Sequence, residues 1–363
     1  MVYLDYQATT PLAPEALAAM LPFLDGNFAN PHSPHAMGRA ARAAVELARE
    51  QVAALLPPGG TVTFTGGATE ALNWAVRCTT LDVVTLATEH AAVLDNARPV
   101  DEDGRHFSIL PVRPDGLAEV ETVRQAVHLD TGLVAAMLVN NEIGVIQPVA
   151  ALAEIAHDVR ALFLCDAVQG YGRLAIPEGC DLIAVSAHKI HGPKGIGALW
   201  VRDGVALDAF LFGGGQETSG RSGTLSPALC AGFGAAAKVA AERFEADREH
   251  VGRLWSVARE LMADWTLNGS EGQRYFGNLN LRREGVDAAR LISEVRDVAF
   301  SAGSACASGS GRPSHVLAAL GLGEREARSS IRLGFGRYTG EAELRLAIER
   351  IDAAAARQLR FAA

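Results

Sequence analysis

The sequence lacks the features that mark exported, membrane-spanning and nucleic-acid-binding proteins. Its 363 residues open without a signal-peptide pattern. No uninterrupted apolar run approaches the roughly 20 residues that a membrane-spanning helix needs. Basic residues form no long run and the net charge is −9, whereas a nucleic-acid-binding surface needs a basic patch. We therefore expect a cytoplasmic protein without a direct nucleic-acid or membrane partner.

Cysteine is also scarce, with five scattered residues: Cys78, Cys165, Cys180, Cys230 and Cys306. The odd number and the absence of a C-x-x-C pair argue against a disulfide framework or a metal site, and they favour a reducing compartment. Cys165 and Cys230 lie in apolar segments. Cys306 lies in the Gly- and Ser-rich stretch 301–311, where a thiol is chemically available. From this pattern alone, a reactive thiol and an incidental one are equally supported.

Short apolar segments alternate with helical patterns through the first two thirds of the chain. The segments lie near 62–65, 83–88, 107–112, 133–140, 161–168, 182–188 and 197–201, and helices are predicted at 69–78, 116–128 and 149–160. This alternation predicts an α/β fold with a mostly parallel, seven-stranded sheet covered by helices on both faces. In such sheets the ligand lies at the carboxyl ends of the strands.

The alternation ends after Arg202. A Gly-rich stretch at 213–223 and a helical stretch at 226–263 follow, and then a mixed pattern of short strands and helices. We predict a large domain over 15–250 and a smaller α+β domain built from 1–14 and 251–363, which carries the loop with Cys306.

Polar residues follow two neighbouring apolar segments. Asp166 follows the segment at 161–165, and Ser186, His188 and Lys189 follow the segment at 181–185. The lysine and the aspartate could form a structural ion pair. They could also be the two fixed points of a pyridoxal phosphate (PLP) site, with the lysine as Schiff base and the aspartate on the pyridine nitrogen.

Further polar groups follow other predicted strands. Gly66 to Thr69 form a small-residue turn into a helix, which is typical of an anion site or of an ordinary capped turn. His90 and Asn141 also follow strands, which favours a shared crevice. Arg332 interrupts an apolar strand and needs a partner, either a substrate carboxylate or a structural acid.

Together these motifs resemble the PLP-dependent cysteine desulfurases of the class V aminotransferase family, which have PLP fold type I. The similar segments are 3–11, 30–31, 65–70, 88–90, 140–144, 166–169, 186–195, 213–217, 221–224, 304–306 and 330–332. The long cysteine-bearing loop resembles the NifS/IscS-like subgroup. Ala187 and Thr218-Ser219 depart from the family pattern, which usually has Gly and Arg-Gly there.

The resemblance implies a role for each matching residue. Lys189 is implied as Schiff base and proton carrier, Asp166 as partner of the pyridine nitrogen, His90 as the ring-stacking residue and Gln169 as a contact of the phenolic oxygen. The implied phosphate ligands are Ala68, Thr69, Ser186, His188 and, from a neighbouring subunit, Thr224; the implied carboxylate ligands are Asn30, Asn141 and Arg332.

The implied reaction converts L-cysteine to L-alanine and leaves sulfur on Cys306 as a persulfide. His90 is a candidate base for the thiol. The implied partners are a second copy in a homodimer and a sulfur-acceptor protein of iron–sulfur cluster assembly or of tRNA or cofactor thiolation. No resident metal is expected, although Cys306 could be a transient iron–sulfur ligand. The alternatives are another class V enzyme, such as an aminotransferase or a selenocysteine lyase, and a non-catalytic sulfur carrier or assembly protein.

Overall fold

The computed structural model describes residues 1–217, 220–302 and 314–362. The strands are β1 (Val2–Tyr3), β2 (Gly60–Thr65), β3 (Asp82–Leu86), β4 (Phe107–Leu110), β5 (Thr131–Met137), β6 (Leu162–Asp166), β7 (Leu182–Ser186), β8 (Gly197–Arg202), β9 (Thr266–Leu267), β10 (Asn278–Arg282), β11 (Val298–Ala299), β12 (Ser301–Ala302) and β13 (Ser330–Gly334). Cys306 and the departures Thr218 and Ser219 lie outside the described residues.

The α-helices are α1 (Pro14–Leu21), α2 (Ala36–Ala53), α3 (Ala68–Arg77), α4 (Ala91–Leu94), α5 (Ala97–Glu102), α6 (Val120–Ala126), α7 (Val149–Asp158), α8 (Pro227–Glu242), α9 (Phe244–Leu261), α10 (Ala288–Glu294), α11 (His315–Ala319), α12 (Glu324–Arg328) and α13 (Glu341–Ala362). A π-helical turn follows α1 at Pro22–Gly26, and a 3₁₀ turn follows β7 at Ala187–Lys189. No helix in the described ranges is long and apolar enough to cross a membrane.

The predicted seven-stranded sheet is confirmed, in the order β2-β8-β7-β6-β5-β3-β4. Pairing is parallel from β7 to β4, and β8 runs antiparallel to both of its neighbours. Along β6, Phe163 and Cys165 pack into one hydrophobic cluster while Leu164 packs into another on the opposite face. This two-residue alternation explains why the central strands are apolar throughout, since both faces are covered by helices.

A second hydrophobic cluster lies around the four-stranded antiparallel sheet β12-β13-β10-β9. It includes Leu4 from the N-terminus and Trp255 and Ile348 from α9 and α13. The single helical stretch predicted at 226–263 is two helices, because α8 packs against α1 and α2 whereas α9 packs against α13. Arg243, which caps both helices, lies at the change of direction.

Candidate active site

A cavity of about 730 Å³ lies at the carboxyl edge of the sheet. It forms where β2, β3, β5, β6 and β7 end, which is where a parallel sheet places its ligands. Ten of the residues predicted from the sequence line it: Ala68, Thr69, His90, Asn141, Asp166, Gln169, Ser186, His188, Lys189 and Arg332.

Three predicted residues are not among those that line this cavity. Asn30 is exposed, and its side-chain oxygen accepts a hydrogen bond from the backbone N–H of His32. Thr224 is also exposed, as a residue that serves the site of another subunit would be in one chain. Cys306 lies in 303–313, outside the described residues.

The amine of Lys189 is held by the N-terminal segment. Its Nζ donates hydrogen bonds to the carbonyl oxygens of Gln7, at 2.5 Å, and Ala8, at 2.8 Å. Thr10 binds the same segment to the turn that carries Lys189, because both its N–H and its hydroxyl donate to the carbonyl oxygen of His188. The lysine therefore lies between the end of β7 and a chain segment about 180 residues earlier. Sequence patterns gave no sign of these carbonyl partners.

Asp166 ends β6 and is buried at the same edge. Its Oδ1 accepts a hydrogen bond from the backbone N–H of Val168 at 3.0 Å. Burial raises the pKa of the Asp166 carboxyl, while His90, that N–H and Lys189 act in the opposite direction. These three groups favour the ionised form of Asp166, which is the form that can pair with a cation.

A second buried acid, Glu89, lies beside Asp166 and had no assigned role. Its Oε1 accepts a hydrogen bond from the backbone N–H of Met137 at 2.8 Å, whereas its Oε2 has no partner among the described residues. Burial raises the pKa of Glu89 well above its ordinary value, and the charge of Asp166 adds to the shift. Of the two carboxyl groups, Glu89 is therefore the one whose protonated form burial favours more strongly.

His90 caps the short helix α4. Its Nδ1 accepts a hydrogen bond from the backbone N–H of Ala92 at 3.0 Å. In the neutral ring the proton then lies on Nε2, and the orientation of the ring is fixed by the cap. A fixed imidazole on the wall of the cavity suits a ring-stacking role.

The amino end of α3 provides an anion site. Its N-cap is Gly67 and no side chain caps it, so the first backbone N–H groups of the helix are available to a ligand. Lys194 also lines the cavity. The pKa of His188 falls to about 4, through burial and then through Lys189, Lys194 and Arg173, so its imidazole is neutral at pH 7.

Lys194 is the cavity residue that the sequence patterns missed most clearly. Residues 192–196 form a turn that leads into β8, which begins at Gly197. The turn nevertheless brings a second amine to the cavity. The signal was composition, since the sequence contains only three lysines, at 189, 194 and 238, and two of them are five residues apart.

Arg332 is 1% exposed and reaches the cavity from β13. Its Nη2 donates to Asp5 Oδ1 at 2.8 Å and its Nη1 donates to the carbonyl oxygen of Asn141 at 3.0 Å. Among the described residues its Nε has no partner. The structural acid considered for this arginine is thus present, and the guanidinium retains donor capacity on the cavity wall.

The described residues on either side of 303–313 contact neighbours of the residues that line the cavity. Ser301 donates to Asp5 Oδ1 at 2.7 Å. Ser314 donates to Glu142 Oε2 at 2.5 Å, and His315 Nε2 lies 2.9 Å from the carbonyl oxygen of Glu89. Both ends of the segment that contains Cys306 therefore meet residues next to Arg332, Asn141 and His90.

Comparisons with known proteins agree with this geometry. The Aminotransferase class-V family model matches residues 2–346. Cysteine desulfurase IscS of Rickettsia rickettsii (strain Iowa) is 41% identical, over 96% of this chain and 90% of that protein. The chain belongs to the class V aminotransferase family, among its cysteine desulfurases.

Solved structures of this family have the same fold. A NifS-like protein superposes with a TM-score of 0.90 at 29% identity, covering 97% of this chain and 98% of that one. SspA in complex with cysteine superposes with a TM-score of 0.83 at 32% identity, covering 94% and 100%. The resemblance to cysteine desulfurases and the PLP fold type I predicted from the sequence are confirmed.

Members of this family depend on PLP, and the residues of the cavity fit that cofactor. Its aldehyde requires an amine, its pyridine nitrogen a carboxylate and its phosphate a set of N–H donors. Lys189, Asp166 and the amino end of α3 supply these groups in one cavity. An added Cβ at Gly197 would lie 2.7 Å from the carbonyl carbon of Gly67. The glycine therefore permits β8 to begin close to Gly67 and Ala68, where α3 starts.

Proposed function

We propose that this desulfurase converts L-cysteine to L-alanine and that the sulfur passes to Cys306 as a persulfide and then to an acceptor protein. The observation that carries the proposal is the convergence of Lys189, Asp166 and Arg332 on one cavity. An amine, a carboxylate and a guanidinium are the groups needed to hold PLP and an amino acid. The relatives named cysteine desulfurase support the choice of substrate.

The cofactor residues take the following roles in this proposal. Bound PLP supplies an electron sink for the bonds at the substrate Cα. Lys189 holds the cofactor and, once released, moves the Cα proton. Asp166 keeps a proton on the pyridine nitrogen, His90 stacks on the ring, and Gln169 contacts the phenolic oxygen. Backbone and hydroxyl groups at Ala68, Thr69 and Ser186 bind the phosphate together with His188.

Arg332 and Asn141 bind the substrate carboxylate, with Asn30 nearby. The donors of a guanidinium match the two oxygens of a carboxylate, which fixes the Cα beside Lys189. Burial strengthens this contact because water does not compete for the charge.

Sulfur transfer uses the thiolate of Cys306, for which His90 is the candidate base. The unprotonated nitrogen of its neutral ring is Nδ1, so accepting the thiol proton requires Nδ1 to release the Ala92 N–H. The thiolate forms an S–S bond to the substrate sulfur while the C–S bond breaks. The electron pair of that bond stays with the carbon skeleton, which takes up protons and leaves as alanine. One cysteine and one enzyme thiol thus give one alanine and one enzyme persulfide.

A homodimer completes the site in this proposal, because Thr224 binds the phosphate in the neighbouring subunit. Four apolar side chains near the N-terminus are exposed in the single chain, which supports a face that a second subunit covers: Leu17, Leu21, Leu24 and Phe28, of which Phe28 is 78% exposed. A partner that covers such a patch removes it from water. Within each subunit we propose the division into 15–250 and 1–14 with 251–363.

The acceptor protein belongs to iron–sulfur cluster assembly or to tRNA or cofactor thiolation in this proposal, and the location is cytoplasmic. Free thiols at Cys78, Cys165, Cys180 and Cys230 fit a reducing compartment. Trapping the persulfide on Cys306 with a thiol-reactive tag, and identifying which lysate protein removes the sulfur, distinguishes the acceptors.

The test is Cys306→Ala, with Cys78→Ala as the matched control. We expect Cys306→Ala to retain the yellow bound cofactor and to lose sulfide release from cysteine, and Cys78→Ala to retain both. Unchanged desulfuration in Cys306→Ala would favour an aminotransferase-like or selenocysteine lyase activity that needs no thiol. A wild-type protein that forms no alanine from cysteine would favour a non-catalytic sulfur carrier.

A further inference from the structure

A second cavity, of about 410 Å³, lies where the two main hydrophobic clusters meet. Arg173 and His191 line it from the side of the large sheet, and Arg274, Tyr275 and Arg337 line it from the other side. Among the described residues, none lines both this cavity and the one that contains Lys189. Its volume is within the range of small-molecule sites, about 300–1,000 Å³.

Two of its arginines are buried with unused donors. Arg337 is 5% exposed; its Nε donates to Asp247 at 2.7 Å, and its Nη1 has no partner among the described residues. Arg274 is 4% exposed and donates to the carbonyl oxygens of Ile143 and Ser270, and its Nε likewise lacks a partner there. Both of these nitrogens are enclosed by protein, so the two residues contribute positive charge to the cavity wall rather than open donors. These hydrogen bonds of Arg274 go to carbonyl oxygens and not to a carboxylate, so they do not neutralise its charge.

The charges around the cavity are unbalanced. Four arginines line it, Arg173, Arg248, Arg274 and Arg337, and of these Arg248 is paired with the exposed Glu245 at 3.4 Å. Asp247 is the one carboxylate among the described lining residues, and it is already shared by Arg337 and Arg243. Burial lowers the pKa of His191 to about 3, so this imidazole adds no charge at pH 7. An anion would offset the excess.

The remaining walls are apolar and aromatic. Phe244, Val251, Tyr275 and Phe276 contribute to them, and the guanidinium of Arg173 lies 5.3 Å from the centre of the Tyr275 ring. Simple inorganic anions would leave these surfaces uncovered. An occupant with an apolar body would bury them.

We infer that this cavity binds a small organic anion, a carboxylate or a phosphate that carries an apolar body. The site is distinct from the PLP site, yet Arg173 connects the two. Its Nη2 donates to the carbonyl oxygen of Lys189 at 2.5 Å, and its Nη1 donates to Gln169 Oε1 at 2.9 Å. An anion that attracts Arg173 competes with these contacts, so the bound ligand changes the position of the lysine turn.

Calorimetric titration of the PLP-loaded protein with phenyl phosphate and with benzoate tests the inference, with benzyl alcohol as the neutral probe. We expect at least one anion to bind with a Kd below about 1 mM and benzyl alcohol to bind at least tenfold more weakly. The two anions distinguish a phosphate site from a carboxylate site. Equal binding of the alcohol, or no binding of either anion, would overturn the inference.

Variants locate the binding. Gly272 is an exposed residue of the cavity lining and an added Cβ there meets no atom within 4 Å, so Gly272→Phe adds a bulky side chain at the cavity wall without a clash at Cβ. Gly323 is exposed and lines neither cavity, and an added Cβ there meets only the end of the Glu326 side chain, at 3.7 Å, so Gly323→Phe is the matched control. We expect at least a tenfold loss of anion binding in Gly272→Phe alone. Retained binding in Gly272→Phe would overturn the inference, whereas loss of desulfurase activity in Cys306→Ala bears only on the proposed function.

Discussion

Asp5 and Arg332 form a 2.8 Å ion pair although 327 residues separate them in sequence. Arg332 is 1% exposed, so its charge depends on this carboxylate and on the carbonyl oxygen of Asn141. The pair joins the N-terminal segment to β13, and the same segment holds the amine of Lys189 through Gln7. Lys189 and Arg332, the residues proposed to hold the cofactor and the substrate, are thus positioned by one stretch of chain.

Asp5→Asn removes the charge of that pair with little change of shape. We expect the free energy of unfolding to fall by about 1–3 kcal/mol, because a buried guanidinium loses its ionic partner. Urea denaturation of the PLP-loaded protein measures the change. Glu324→Gln breaks the exposed pair with Arg328 and should cost less than about 0.5 kcal/mol. Equal costs in the two variants would show that the Asp5 pair is no stronger than a surface pair.

Lys194→Gln removes the second amine of the cavity. We expect PLP to bind about three- to tenfold more weakly, because a cation on the cavity wall contributes roughly 1 kcal/mol to the binding of the negatively charged cofactor. The cofactor dissociation constant, measured by reconstitution of the apoprotein, gives this change. Lys238→Gln is the control, since Lys238 is exposed and pairs with Glu242 at 3.9 Å. An unchanged constant in Lys194→Gln would assign the anion site to the helix terminus alone.

The sheet and the position of Lys189 at its edge were predictable because their signals are local. β6 and β7 are short apolar segments, and the polar groups at their ends, Asp166 and Lys189, follow directly in sequence. Parallel pairing then places both at one edge. Polar residues that follow two neighbouring parallel strands in sequence therefore lie close together at one edge of the sheet.

Other site residues could not be found in this way. Gln7 acts through its carbonyl oxygen, which any residue type possesses, and Arg173 donates to the carbonyl oxygen of Lys189 from a turn without periodicity. Neither contact leaves a mark on residue type or spacing. The pKa of Glu89 is raised by its burial and by the charge of Asp166. Both effects depend on the folded chain and cannot be seen in the sequence.

Glu89→Gln tests whether this buried acid is neutral. The folded-state pKa lies well above 4.5, so the unfolded chain ionises first and the native protein loses stability as pH rises from 4.5 towards the folded pKa. Glutamine removes this loss. We expect the variant to gain stability over the wild type by up to about 1.4 kcal/mol per pH unit in that range.

Denaturation of both proteins at pH 5, 6, 7 and 8 gives the difference. Desulfurase activity at pH 7 should stay within about twofold, because glutamine keeps an acceptor for the Met137 N–H and leaves the charge near Asp166 unchanged. A variant that is less stable than the wild type at pH 8 would mean that Glu89 is ionised in the folded protein.

His191 should make the protein sensitive to acid. Burial lowers its pKa from 6.5 to about 3, so as pH falls from 6.5 towards 3 the unfolded chain takes up a proton that the folded chain refuses. Stability therefore falls with pH across this window, by up to about 1.4 kcal/mol per pH unit. The buried Nδ1, which contacts the carbonyl oxygen of Pro11 at 2.9 Å, holds the ring in place.

His191→Asn removes the titrating group and suits the backbone, since the φ of +70° at this position is one that asparagine tolerates. We expect the fall in unfolding free energy between pH 6.5 and 4 to become shallower in this variant. His128→Asn is the control, because His128 is exposed and its replacement should leave the slope as it is. Parallel pH profiles for the wild type and His191→Asn would mean that the folded protein accepts the proton on His191 as readily as the unfolded chain does.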